Sequence, residues 1–232
     1  MKEINITLED LQFIPEVRRK ALNEIYSYSD GNIKEIVKKY GSSCIVCSSN
    51  TKVDIMGRQT AECSHYSPSD KKIYMNEFKD NEEYALTFCH EFGHYIDDAF
   101  GKASLNENFE YAIEADKQWI NLSSEEGIET YKDMLTELAK SSVIDNRYVS
   151  DILSGMFLND KYLQIAYNTS GSPFYGHRTS YWLGVDGPDK AVNIEVFADL
   201  MGIYSENDAE VVAFTEKWFP NTTSRFKNII KE

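Results

Sequence analysis

Two histidines and a glutamate that could perform metal-assisted hydrolysis lie together in residues 89–94, which read CHEFGH. Histidines four residues apart on a helix share one face, with Cβ atoms about 5–6 Å apart. His90 and His94 can therefore both reach one zinc ion at about 2.0–2.1 Å. Zinc lowers the pKa of a water from about 15.7 toward about 7, and a carboxylate beside it can accept the proton. The spacing predicts one Zn²⁺ per chain, bound by His90 and His94, with Glu91 as general base.

A helix over about residues 82–100 must position these three side chains. Asp80 or Asn81 can cap it, apolar residues recur at helical spacing through it, and Gly101 follows as a stop. Small Gly93 leaves room for a backbone or a substrate to approach closely. With four histidines in the chain, a chance match to the spacing is the alternative, on the order of once per hundred chains. The patterned helix argues against chance.

A catalytic zinc has a third protein ligand and one open position. The other two histidines, His65 and His177, are candidates, but Glu195 in the segment NIEVFAD is the better one. Glu195 and Asp199 lie at i and i+4, so one carboxylate can bind the metal while the other orients a ligating imidazole. An ordinary amphipathic helix with two acidic residues remains the alternative explanation of this segment.

The rest of the chain predicts an α+β fold in one domain, residues 1–232. Helical periodicity covers the first forty residues, with Pro15 beginning a helix and Gly41 ending one, and short β-like runs fill residues 43–76. We expect a small mixed or antiparallel sheet there, packed on the HExxH helix, in an N-terminal lobe over residues 1–100. A helical C-terminal lobe, residues 101–232, then carries the third ligand. Its expected segments are residues 107–122, 123–140, 193–204, 206–218 and 222–230, with a Gly- and Ser-rich loop at 168–190.

The net charge and the distribution of apolar residues narrow the classes of binding partner that we expect. A net charge of −14 disfavours nucleic acid, which needs a basic face. The opening residues MKEINITLED lack the apolar run of a signal peptide, and no segment has the length of a membrane span. We therefore expect a cytoplasmic or phage-associated protein that is monomeric and acts on a peptide or protein.

Four cysteines lie in the first half of the chain: Cys44, Cys47, Cys63 and Cys89. Cys44 and Cys47 fall in a strand-like run that would point them to opposite faces, unlike a zinc knuckle. Cys63 and His65 could complete such a site, but free thiols in a reducing compartment are favoured.

The segments HEFGHYIDD and EVFAD resemble gluzincin metallopeptidases, in which HExxH is followed by a glutamate ligand on a later helix. HEFGH with EVFADLMG is most similar to the branch that holds anthrax lethal factor and the Pro-Pro endopeptidases. The stretch from SDILSGMF through GHRTSYW also resembles zincin-like domains associated with phage minor head proteins. The resemblance covers about residues 60–230. It implies a zincin-like fold with His90, His94 and Glu195 as zinc ligands, Glu91 as base, and Asp199 supporting a ligating imidazole. Asp98, one turn beyond His94, could play the same role, with an exposed aspartate at a helix end as the equal alternative.

One position departs from that pattern. The lethal-factor branch places a tyrosine that stabilises the transition state seven residues before the glutamate ligand, where this chain has Pro188. A donor must then come from elsewhere in the loop. Four side chains there can donate: Tyr175, His177, Arg178 and Tyr181. His177 and Tyr181 are favoured because they lie in the stretch shared with the phage-associated group.

The leading prediction is a zinc endopeptidase whose substrate pairs with the edge of the sheet at residues 61–76. One alternative is a structural or interaction protein of a phage or mobile element that binds zinc but has lost proteolysis. The change at Pro188 supports this alternative, and the retained Glu91 opposes it. Hydrolysis of a non-peptide amide is a third possibility.

Overall fold

The computed structural model describes residues 14–53, 59–61, 63–157, 162, 165–166, 168–169, 177, 179–185 and 187–231. The helices are α1 (Glu16–Tyr28), α2 (Gly31–Tyr40), α3 (Asn81–Ala99), α4 (Glu107–Trp119), α5 (Glu125–Ala139), α6 (Arg147–Met156), α7 (Thr179–Trp182), α8 (Ala191–Glu206), α9 (Ala209–Trp218) and α10 (Pro220–Ile229). Short 3₁₀ turns lie at Gly41–Ser43, Ala103–Leu105 and Ser142–Asp145.

The strands are β1 (Ile45–Ser48), β2 (Thr51–Val53), β3 (Gln59–Ala61), β4 (His65–Ser67) and β5 (Lys72–Met75). Three of them form a mixed sheet in the order β1-β5-β4, with β1 parallel and β4 antiparallel to β5. β2 and β3 pair separately as an antiparallel ribbon. The α+β class and the small mixed sheet are therefore confirmed, and β4 lies at one edge of the sheet.

The predicted helix starts follow from capping groups. Asp80 accepts the amide N–H of Glu83 at 2.8 Å and begins α3, and Ser124 accepts that of Gly127 at 3.0 Å and begins α5. Pro15 precedes the first turn of α1, as expected from its fixed φ. After α3 the chain turns through Gly101 at φ +72°, a conformation that suits glycine.

The core is built around two helices, α3 and α8, which pack against each other. Buried side chains come from both predicted lobes and form one continuous apolar cluster. Nearly every residue of α8 is buried, although the helix carries two carboxylates, Glu195 and Asp199. A carboxylate is rarely buried without a partner, so their position points to a site.

Two sequence predictions need adjustment, and a third is untested. The segment 168–190 is not simply a loop, because Thr179–Trp182 forms a helical turn whose Trp182 ring packs at Gly155. The helix expected from residue 206 begins at Ala209, since Asn207 adopts a left-handed conformation and Asp208 caps the new helix. The helical prediction for residues 1–13 lies outside the described residues.

All four cysteines have free thiols in the structure, and Cys44 and Cys89 are buried. Among the described helices, none combines the length and apolar character that a membrane crossing requires.

Candidate metal centre

Helix α3 presents His90 and His94 as a pair on one face. Their rings meet edge to face with centroids 4.7 Å apart, and their Nε2 atoms lie 3.1 Å from each other. This is the arrangement that the four-residue spacing predicts.

Helix α8 brings the Glu195 carboxylate to the same point. Its Oε2 lies 3.2 Å from Nε2 of His90 and 3.3 Å from Nε2 of His94. A tetrahedral zinc with bonds of about 2.0–2.1 Å separates its ligand atoms by about 3.3–3.4 Å. The three atoms therefore form a triangle of the size that one such ion would span, and the grouping of Glu195 with the two histidines is confirmed.

Electrostatics keep Glu195 in the form that binds a metal. Burial by itself would raise the pKa of Glu195, but His94 and His90 beside it hold that pKa well below its usual range. Glu195 is thus a buried carboxylate whose charge is compensated by two imidazoles and, in the loaded site, by a cation.

Asp199 supports the site from behind His90. Its Oδ1 lies 2.9 Å from Nδ1 of His90, and the residue is 1 % exposed. A carboxylate at Nδ1 fixes the ring and leaves Nε2 directed at the metal. Burial would lower the pKa of His90, whereas Asp199 and Glu195 raise it well above the ordinary value. Asp199 therefore makes the contact that the sequence predicted.

Glu91 is held by the edge strand of the sheet. Its Oε2 accepts the backbone N–H of Tyr66, in β4, at 2.8 Å, and the residue is 6 % exposed. Its side chain lines the same cavity as the two histidines. A carboxylate fixed in this way beside the open side of the metal triangle is placed to accept a proton.

The cavity over this centre is an open cleft of about 530 Å³. The Ser64–Pro68 segment forms one wall, and His177 and Tyr181 form the other, so both predicted donors line it. Three apolar residues also line it: Leu105, Pro188 and Ile194. Pro188, the departure from the family pattern, thus lies in the cleft wall.

Tyr181 and His177 are stacked on each other beside Glu195. The Tyr181 hydroxyl donates to Oε1 of Glu195, the oxygen that does not face the histidines, and burial and Glu195 raise the pKa of this phenol. The His177 ring lies parallel to Tyr181 with centroids 4.0 Å apart. The structure therefore brings both predicted donors beside Glu195, and Tyr181 lies in a helical turn that the sequence did not indicate.

Asp151 is the residue that sequence reasoning missed. Its Oδ2 lies 3.3 Å from Nδ1 of His177, and its Oδ1 accepts the backbone N–H of His177 at 3.1 Å. Asp151 lies on the buried face of α6, between Tyr148 and Gly155 at helical spacing. An aspartate on an otherwise apolar helix face was the available signal.

The remaining candidates lie in other environments. Asp98 accepts a hydrogen bond from the Tyr66 hydroxyl at 3.0 Å and lies 3.7 Å from Lys71, and the described contacts do not join it to His94. His65 contacts the carbonyl of Cys63 and stacks on Tyr74, outside the metal group. Two of the alternative donors, Tyr175 and Arg178, lie outside the described residues.

Gly93 is the contact point at which α3 and α8 approach. A Cβ there would lie 2.7 Å from Cα of Ala198 and 2.9 Å from Cβ of Met201. Gly93→Ala is therefore expected to push α8 away from α3, lowering the free energy of unfolding by about 1–3 kcal/mol and weakening metal binding. Chemical denaturation and metal titration would measure both effects.

Gly31→Ala provides the control, because the space around Gly31 is open to 4 Å. It is expected to leave both quantities nearly unchanged. Metal affinity that stays at the wild-type value in a destabilised Gly93→Ala protein would show that this contact does not position Glu195.

Comparison of the chain with protein family models, with curated proteins and with solved structures finds no match. The site is therefore defined by its own geometry. That geometry shows a group of two histidines and a glutamate that could hold a metal ion.

Proposed function

We propose that the protein is a zinc-dependent endopeptidase of the zincin type. The observation that carries the proposal is the convergence of His90, His94 and Glu195 on one point of an open cleft, with Glu91 beside it. Two imidazoles and one carboxylate are the ligand set of several catalytic zinc sites, which keep the fourth position for water or substrate. A small mixed sheet lying against the HExxH helix is compatible with a zincin-like fold.

A zinc ion held by these ligands would polarise a substrate carbonyl and acidify a water molecule. Glu91 then accepts the water proton and delivers it to the leaving amine. The Tyr66 amide holds one oxygen of Glu91, which keeps the carboxylate aimed into the cleft. The base therefore lines the same cleft as the three proposed ligands.

His177 and Tyr181 supply donors for the carbonyl oxygen as it becomes negatively charged. Both line the cleft, and a ring nitrogen of His177 lies within 4.8 Å of a Glu195 oxygen. Asp151 engages Nδ1 of His177 and leaves Nε2 for the substrate. Donors placed where charge develops contribute about 10²–10³-fold each to such reactions. Tyr181 would replace the phenol that the lethal-factor pattern places at Pro188, and its hydroxyl would turn toward the substrate oxygen from Oε1 of Glu195, to which it donates in the structure.

The free edge of β4 supports binding of an extended peptide. The Tyr66 amide bonds to Glu91 rather than to β5, so Tyr66 occupies a position whose backbone groups point away from the sheet. The Tyr66 carbonyl then remains as an acceptor for a substrate N–H, while Pro68 has no N–H to offer. We therefore expect the substrate to donate to this edge near the metal.

Metal removal tests the proposal directly. The protein is expected to cut an unfolded protein such as reduced, alkylated casein, to lose this activity with a chelator, and to regain it with stoichiometric zinc. Mass spectrometry of the fragments measures the cut sites. Zinc-loaded protein that leaves every peptide intact would favour the structural role in a phage or mobile element, and release of small amines alone would favour a non-peptide amide.

Asp151→Asn is expected to move the alkaline limb of the kcat/KM pH profile to lower pH. Burial would lower the pKa of His177, but the hydrogen bond and charge of Asp151 raise it above the ordinary value. The donating imidazolium is present below this raised pKa and is lost as the pH rises through it. Without the carboxylate this loss begins at lower pH.

Asp133→Asn, a change at an exposed position of α5, is the control and should leave the profile in place. Profiles are recorded on proteins of equal metal content. An alkaline limb that stays unmoved in Asp151→Asn would remove His177 from the reaction.

A further inference from the structure

A second, more polar pocket opens on the far side of His90 and His177 from the cleft. It has a volume of about 330 Å³, and its outer wall is formed by Lys79, Thr87 and Arg147. We call it the Arg147 chamber. His90 and His177 line both the chamber and the cleft. The two pockets therefore share a wall, so a group bound in the chamber lies next to the candidate metal centre.

In the Arg147 chamber, two cationic side chains donate hydrogen bonds to the same neutral hydroxyl group. Oγ1 of Thr87 accepts from Nη2 of Arg147 at 2.9 Å and from Nζ of Lys79 at 3.4 Å. Thr87 is 8 % exposed, so this wall of the chamber includes a buried residue of α3. Like charges brought this close repel each other unless an anion lies between them.

The carboxylates around the chamber have other partners. Asp151 is engaged by His177 and Asp199 by His90, both on the wall toward the metal. Lys79 pairs with the half-exposed Glu83 on its outer side. Glu206 on α8 accepts a hydrogen bond from Asn146 and interacts with Arg147 through its charge, without a direct contact between the two among the described residues.

Arg147 has further N–H groups that can donate hydrogen bonds. Its guanidinium lies over the Tyr148 ring, with Cζ 5.3 Å from the ring centroid, and its described hydrogen bond uses one of five N–H groups. A planar guanidinium held by an aromatic ring is suited to bind a carboxylate through two parallel hydrogen bonds.

We propose that the Arg147 chamber is a substrate subsite that binds the carboxylate of an aspartate or glutamate next to the scissile bond. This inference rests on the proposed peptidase function. Arg147 and Lys79 hold the carboxylate, and the apolar residues at the other end of the cleft receive the opposite side of the peptide. The protein carries a net charge of −14, so its overall field repels acidic peptides and acidic selection depends on this local pair.

The cleavage test compares peptides that differ only by glutamate or glutamine. A peptide mixture first locates the cut sites, and we expect aspartate and glutamate to be enriched at one position. At that position kcat/KM should be about 10- to 100-fold higher for glutamate than for glutamine. Arg147→Gln should bring this ratio close to one by lowering kcat/KM for the glutamate peptide.

Lys79→Gln is a second variant that does not disturb the Tyr148 contact, and it should lower the same ratio. Lys132→Gln, which removes an exposed cation paired with Glu129 on α5, is the matched control and should retain it. A purely structural effect would slow both peptides equally. A wild-type ratio near one would overturn the subsite and leave the peptidase assignment intact.

A binding test is independent of turnover. Zinc-loaded Glu91→Gln protein is titrated with acetyl-glutamate amide and acetyl-glutamine amide, and the Thr87 amide and Arg147 Nε–H resonances are followed by NMR. We expect shifts with the glutamate probe alone. Such shifts, found together with a zinc-loaded wild-type protein that cuts no peptide, would support the subsite and refute the peptidase. Equal responses to both probes would overturn the subsite.

Discussion

Replacing Glu91 by glutamine is expected to lower kcat/KM for peptide cleavage by about 10²–10⁴-fold, the usual contribution of a general base. Glutamine has the same shape, and its side-chain oxygen can still accept the Tyr66 N–H that holds Glu91 now. The amide cannot take a proton from water, so the chemical step fails while the fold and the metal are retained. Initial rates on a fluorogenic peptide, together with zinc content and a thermal melt, measure the three quantities.

Glu82→Gln is the matched control for this experiment. It makes the same chemical change in the first turn of the same helix, at an exposed position. The control should cut at the wild-type rate. Full activity in metal-loaded Glu91→Gln would exclude Glu91 as the base and, with it, the proposed mechanism.

Glu195→Ala is expected to weaken zinc binding by more than about 100-fold. Loss of a partner that merely orients a ligand costs about 10- to 100-fold, and Glu195 is placed as a ligand itself, 3.2 and 3.3 Å from the two imidazole nitrogens. The variant would keep only His90 and His94. Competition with a chromophoric chelator gives the affinity, and metal analysis gives the zinc content per chain.

Thermal stability provides a second readout of the same change. A ligand at 100 times its dissociation constant stabilises the folded state by about 2.7 kcal/mol, so zinc should raise the Tm of the wild type but not of Glu195→Ala. Glu210→Ala, at an exposed position of α9, should respond like the wild type. A full zinc complement with unchanged affinity in Glu195→Ala would remove Glu195 from the ligand set.

Sequence reasoning succeeded where the physical cause is local. Capping by Asp80, the break at Gly41 and the change from helical to β periodicity each depend on neighbouring residues, and the elements follow them closely. It was less successful in the segment 168–190. The helical turn at Thr179–Trp182 is four residues long and too short for a periodic pattern to show.

The residues of the candidate metal centre also differ in whether the sequence alone determined their positions. The pairing of His90 and His94 was determined by the sequence itself, because helix geometry places residues four apart on one face. Glu195 lies about a hundred residues further along the chain. Its prediction as the third ligand depended on its spacing to Asp199 and on the resemblance to gluzincins. Its distance from the histidines was decided by the packing of α8 on α3, which Gly93 permits.

The surroundings of the centre were decided by the tertiary structure alone. The Tyr66 amide on Glu91, the Asp151 carboxylate on His177 and the cations of the Arg147 chamber all join segments far apart in the chain. No local pattern records such contacts, since each depends on how whole elements pack. The HExxH residues predict a metal beside a base, and the packing of β4, α6 and α8 around them determines the shape of the cleft over this group.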